Sequence, residues 1–99
     1  MINSLTLFPK TIDPKLLEKI TAKTISSMKS AKGIKRITSS DGDIMSPAGP
    51  PTYSKVVEAA WESLEDFLDW TQSPSAQDDK DFLIENGAQL LFFELDEIL

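Results

Sequence analysis

Cysteine and histidine are both absent from this chain of 99 residues. Without cysteine there is no disulfide, no thiolate metal ligand and no cysteine nucleophile. Without histidine there is no serine–histidine triad, no imidazole ligand for zinc or haem iron, and no imidazole acid–base catalysis. The carboxylates that remain are densest at Asp78, Asp79 and Asp81, where the first turn of a predicted helix favours negative charge. No metal and no other cofactor is therefore expected.

Long apolar runs and an excess of basic residues are also missing. No stretch reaches the 18 apolar residues that a membrane-spanning helix needs, and no basic segment precedes the first apolar residues as in a secretory signal. We therefore expect a cytosolic protein. The net charge of −6 disfavours nucleic acid and anionic membranes as partners.

The charge is unevenly distributed along the chain. Residues 1–50 carry eight Lys/Arg and four Asp/Glu, a net +4, whereas residues 51–99 carry two and twelve, a net −10. This asymmetry favours complementary packing within one domain or between two copies of the chain. A mass of 11.0 kDa, with 40% hydrophobic and 26% charged residues, predicts a single globular domain over residues 1–99.

Four segments have the pattern of β-strands. Alternating or strongly apolar residues predict strands over 4–8, 34–40, 53–61 and 88–95, and the second is polar enough for a sheet edge. The long connection over residues 41–52 contains three prolines and two glycines.

Helix signals separate these strands. Asp13-Pro14 begins a helix that ends before Gly33, and Ser63 is followed by the acidic residues of a capping box. Ser73-Pro74 breaks the second helix, and Ser75 is predicted to cap a third that ends at Asn86-Gly87.

The resulting order is β-α-β-β-α(α)-β, which predicts an α+β ferredoxin-like sandwich with an antiparallel four-stranded sheet. Strands 1 and 3 should be central, with the helices on one face. The other face stays open and includes part of the apolar run Leu90-Leu91-Phe92-Phe93. Exposed apolar strand surface marks an association site, so we expect a homodimer formed through the sheet faces.

The segment Trp61-Glu62-Ser63-Leu64-Glu65-Asp66-Phe67 resembles a motif of the dimeric α+β barrel superfamily, and in particular of the family named for ethyl tert-butyl ether degradation (EthD). Ser73-Pro74-Ser75 is similar to that family's helix break, and Leu7-Phe8-Pro9-Lys10 to its exit from strand 1. The resemblance implies a dimeric α+β barrel. It extends to relatives of varied function, including cofactor-independent monooxygenases of quinol-like substrates.

One departure from the family pattern affects chemistry. Family members usually carry a histidine late in the first helix, where this chain reads Thr24-Ile25-Ser26-Ser27-Met28. Any activity of the family that depends on this histidine cannot be inferred for this chain. We therefore carry two hypotheses: a homodimer that is non-catalytic or binds a small apolar or aromatic molecule, and a cofactor-independent monooxygenase or catabolic accessory enzyme.

Five residues are candidates for a site. Glu58 could be a general base with a raised pKa if it is buried, or an interface carboxylate paired with Lys or Arg. Tyr53 could orient a ligand or anchor a loop. Trp61 could line a pocket or pack in the core against Phe67 and Phe82. A helix-side pocket would use Trp61, Tyr53 and Thr24, and a barrel-side pocket would use Glu58 and Thr6.

Overall fold

A computed structural model describes all 99 residues. The chain forms four strands and three helices, in the order β1 Ile2–Pro9, α1 Pro14–Lys29, β2 Ile34–Ser39, β3 Tyr53–Trp61, α2 Leu64–Thr71, α3 Pro74–Glu85 and β4 Gln89–Glu94. The predicted α+β class and element order are confirmed. No helix is long and apolar enough to span a membrane.

The four strands form one antiparallel sheet in the order β2-β3-β1-β4. The prediction that strands 1 and 3 are central and strands 2 and 4 are at the edges is confirmed. This is the order of a ferredoxin-like sandwich, with the helices covering one face.

Side-chain caps fix where the helices begin. Oδ2 of Asp13 accepts hydrogen bonds from the amides of the first turn of α1, and Oγ of Ser63 accepts one of 3.2 Å from the amide of Asp66 in α2. The prediction that Ser75 caps the third helix is wrong. Ser73 is the cap and accepts from the amide of Ala76, because Pro74 is suited to the first helical position.

The register decides which side chains face the helices. Ser4 and Thr6 of β1 are opposite Ala59 and Val57 of β3, and all four lie on the helix-covered face. The expectation that Thr6 faces the open, barrel side is therefore wrong. Side chains alternate between the two faces of a strand, so an assignment that is off by one residue places every side chain on the wrong face. Leu5 lies opposite Glu58, and both point to the open face.

The core lies between the sheet and the helices. Trp61 is fully buried. Its ring packs edge-on against Phe67 at a centroid distance of 5.6 Å and in a tilted arrangement against Trp70 at 5.4 Å. The expectation that Phe82 completes this cluster is wrong. Ala76, Asp79 and Leu83 share the inward stripe of α3, which leaves Phe82 on its flank.

Candidate functional site

The cavity of interest lies on the helix side of the sheet, between α2, α3 and β4. Its volume is about 360 Å³, and eight of its twelve lining residues are hydrophobic. The aromatic rings of Phe67, Trp70 and Phe92 form part of its wall, and the aliphatic side chains of Leu83 and Leu90 line it as well. The space is apolar and large enough for a small organic molecule.

Asp79 of α3 is the buried polar residue of this wall. It is only 4% exposed, and its Oδ2 accepts a hydrogen bond of 2.6 Å from the hydroxyl of Thr24 on α1. Neither of the two ion pairs in the protein includes Asp79, since they join Lys35 to Glu62 and Arg36 to Glu58. A buried carboxylate therefore borders an apolar cavity with one hydroxyl as its side-chain partner.

Asp79 lies further into α3 than the sequence predicts. A cap at Ser75 would put this carboxylate in the first turn, where the helix dipole explains it. Because α3 begins at Pro74, the first turn contains no acidic residue. The spacing of Ala76, Asp79 and Leu83, three and four residues apart, was the signal that an acidic side chain lies on the buried stripe.

Three predicted residues lie on the helix side, but none of them lines this cavity. Thr24 reaches it through its hydrogen bond to Asp79. Trp61 is fully buried behind Phe67 and Trp70, and its indole donates a hydrogen bond of 3.0 Å to Ser4. Thr6 is 2% exposed within the sheet.

The other two predicted residues, Glu58 and Tyr53, do not lie beside the three on the helix side. Glu58 lies on the open face, where it forms an ion pair of 3.0 Å with Arg36 of the neighbouring strand. Tyr53 donates a hydrogen bond of 3.0 Å from its hydroxyl to Oε1 of Gln89, a residue that lines the cavity. Glu58 and Trp61 are thus on opposite faces, as their odd spacing along the strand predicted. The catalytic roles of Glu58 and Tyr53 stay predictions.

The two helices beside the cavity carry an excess of acidic residues, whereas the cavity lining itself contains one charge of each sign, Asp79 and Lys80. Residues 62–85, which include α2 and α3, contain eight Asp or Glu and a single basic residue, Lys80, a net charge of −7. These carboxylates do not gather as a metal site, because no three His, Cys, Asp or Glu side chains form a group that could hold an ion.

Comparison with known proteins shows similarity in structure but not in sequence. No protein-family model matches the chain, and no curated protein is similar to it in sequence. An EthD family protein from Bacillus halodurans C-125 superposes with a TM-score of 0.75 at 12% identity, covering 97% of this chain and 99% of the other.

Two further solved structures are similar. SnoaB, a cofactor-independent oxygenase from Streptomyces nogalater, has a TM-score of 0.74 at 17% identity, over 99% of this chain and 95% of its own. A dimeric ferredoxin-like protein of unknown function from Thermobifida fusca YX has a TM-score of 0.71 at 15% identity, over 95% of this chain and 90% of its own. The chain thus shares the ferredoxin-like fold of these proteins, an EthD family protein among them, and the predicted resemblance is confirmed at the level of fold.

Proposed function

We propose that this protein is a homodimer that binds a small apolar or aromatic molecule in the cavity between α2, α3 and β4. The observation that carries the proposal is the cavity itself: about 360 Å³, mostly apolar, with one buried carboxylate. Sites for small molecules typically combine an apolar concavity with a few placed polar groups. A cytosolic location stays a prediction from the sequence.

The open face of the sheet supports the dimer. On β4, Leu91 is 48% exposed and Phe93 is 41% exposed, and both point away from the helices. Leu5, Leu7 and Val56 extend the same apolar surface across the two central strands. A second copy of the chain would cover this face by two-fold symmetry, and the similar protein from Thermobifida fusca is described as dimeric.

Light scattering at micromolar concentration tests the dimer. The expected mass is twice the chain mass of 11.0 kDa, and a stable species of one chain mass would contradict it.

Ligand binding is tested by NMR titration with a neutral aromatic probe, 2-phenylethanol. We expect the largest amide shifts at cavity-lining residues such as Leu83 and Leu90. Leu83→Trp should fill the cavity and abolish these shifts. Leu64→Trp is the control, since Leu64 is 43% exposed on α2 and does not line the cavity. Shifts that are absent, or equal in both variants, would contradict the proposed site.

The second candidate function is cofactor-independent oxygenation of a quinol-like compound, in which the substrate supplies the electrons. The observation that favours it is a carboxylate in the wall of an apolar cavity, where a general base would lie close to a bound substrate. The similarity to SnoaB supports the candidate through the fold alone.

Oxygen uptake with simple hydroquinones tests this second function. Enzyme-dependent uptake that is lost in Asp79→Asn, and retained in Glu58→Gln, would support a helix-side base. The reverse result would support the predicted role of Glu58. Uptake equal to that of buffer alone across the panel would contradict the oxygenase.

A further inference from the structure

We propose that the cavity between α2, α3 and β4 is selective for an aromatic amine, whose ammonium group pairs with the carboxylate of Asp79. This inference rests on the proposed binding function and specifies the class of its ligand. The juxtaposition that carries it is a buried carboxylate without a cationic partner, set in the wall of an apolar cavity.

A buried carboxylate needs compensation. Removing a charge from water is costly, and buried charged groups in proteins are generally paired or fully hydrogen-bonded. Asp79 is 4% exposed, yet its only side-chain partner is the hydroxyl of Thr24, which occupies Oδ2. Oδ1 accepts no hydrogen bond within the protein, and it is not among the fully enclosed polar atoms without a partner, which are Oδ1 of Asn3 and Oγ1 of Thr21. Oδ1 of Asp79 is therefore accessible to a donor from outside the protein, and a positively charged donor would bind it most strongly.

The nearby lysines do not supply this charge. Lys80 lines the same cavity, and Lys19 and Lys23 line a neighbouring cavity of about 240 Å³ on the α1 side of Asp79. None of the three has its ammonium within ion-pair distance of a carboxylate. All three side chains are solvent-exposed on helix surfaces. The ammonium group of a ligand would therefore pair with Asp79 without displacing a lysine.

The rest of the wall suits an aromatic amine. Phe67, Trp70 and Phe92 present rings, which attract both aromatic faces and cations. The net charge of −7 over residues 62–85 favours the approach of a cation and opposes that of an anion. The shape and the charge of the cavity therefore both favour a ligand that has an apolar body and one ammonium group.

Three probes of similar shape separate charge from hydrophobicity: 2-phenylethylamine, the neutral 2-phenylethanol and the anionic 3-phenylpropionate. We expect calorimetric or NMR titration of the intact protein near neutral pH to show the amine binding on the order of tenfold more tightly than the alcohol, because a charge-assisted hydrogen bond is roughly twice as strong as a neutral one. The propionate should bind most weakly.

Asp79→Asn keeps the shape of the side chain and removes its charge. It should abolish the preference, so that the amine and the alcohol bind equally. Asp81→Asn is the control, because it makes the same change in net charge at an exposed position of α3 that lines neither cavity. The Asp81→Asn variant should still bind the amine more tightly than the alcohol.

The outcomes distinguish this inference from the proposed function. Equal binding of amine and alcohol to the unaltered protein would overturn the amine selectivity and leave the apolar site standing, whether or not Asp79→Asn folds. A preference that survives in a folded Asp79→Asn variant would overturn the role of Asp79. Binding of neither the amine nor the alcohol would overturn the proposed site as well.

Discussion

The indole nitrogen of Trp61 donates a hydrogen bond of 3.0 Å to the hydroxyl of Ser4, between the two central strands of the sheet. Both residues are almost fully buried, at 0% and 1% exposure. Water therefore cannot replace either partner, and this bond satisfies the polar atom of the largest core residue. The same ring packs against Phe67 and Trp70, so it joins the sheet to α2.

Trp61→Ala should lower the free energy of unfolding by about 3–5 kcal/mol, through lost burial and the cavity left behind. Ser4→Ala should cost less, about 1–3 kcal/mol, because it leaves the indole donor without a partner. Urea melts of both variants check this order. If Trp61→Ala were nearly neutral while binding of 2-phenylethanol was lost, the ring would be part of the ligand site instead of the core.

The cap of α2 is a second measurable contribution to stability. Ser63→Ala removes the acceptor of the Asp66 amide and should lower the free energy of unfolding by about 1 kcal/mol. Ser26→Ala is the matched control, since Ser26 is exposed within α1 and caps no helix. The control should stay within about 0.5 kcal/mol of the unaltered protein. Equal effects in urea melts would show that the cap contributes nothing specific.

Adjacent leucines of β4 separate the two faces of the sheet. Leu91 is paired with Leu5 on the open face, whereas Leu90 is paired with Thr6 on the helix side and lines the cavity. Leu91→Glu should shift light scattering toward the monomer, because it places a charge in the proposed sheet-to-sheet interface. Leu90→Glu should remain dimeric and weaken binding of 2-phenylethanol. A monomer from Leu90→Glu alone would place the interface on the helix side.

Local chemistry was sufficient to predict the element order and the sheet. Asp13 and Ser63 are caps with short-range signals, and the alternation within β3 identifies its buried face without any tertiary information. The crossover rule then determines which strands are central. Each of these features depends on residues close together in the chain, or on a rule about how strands connect.

The candidate site was harder to predict, because it depends on registers and rotations that short-range signals do not fix. Because α3 begins two residues earlier than predicted, Asp79 lies beyond the first turn, and its side chain is buried. The pairing of β1 with β3 put Thr6 on the helix side. Thr24 and Asp79 are 55 residues apart in the chain, and only the packing of α1 against α3 joins them.

Gly33, between α1 and β2, should not tolerate a side chain. Its φ of +80° is unfavourable for other residues, and a Cβ there would overlap the carboxylate of Asp66. Gly33→Ala should therefore cost more than Gly42→Ala, which has a similar φ of +71° but open space around it. We expect about 1 kcal/mol for Gly42→Ala and clearly more for Gly33→Ala in urea melts. Equal costs would mean that Asp66 moves aside freely.

The ion pair between Lys35 and Glu62, at 2.7 Å, makes stability depend on pH. Its hydrogen bond and charge attraction hold the pKa of Glu62 below its ordinary value of 4.5 and the pKa of Lys35 above its ordinary value of 10.5. The stabilisation is therefore present between these two ordinary values. It is lost as the pH falls through the lowered pKa of Glu62 or rises through the raised pKa of Lys35.

Glu62→Gln should accordingly lower the melting midpoint slightly near neutral pH. The difference from the unaltered protein should shrink below pH 4.5, where the unfolded chain begins to take up the proton, and again above pH 10.5. Both side chains are at least half exposed, so added salt should also shrink it. Glu18→Gln, at an exposed carboxylate without an ion pair, is the control and should show no such profile. A difference that persists unchanged in strong acid would show that the effect of Glu62 does not come from its charge.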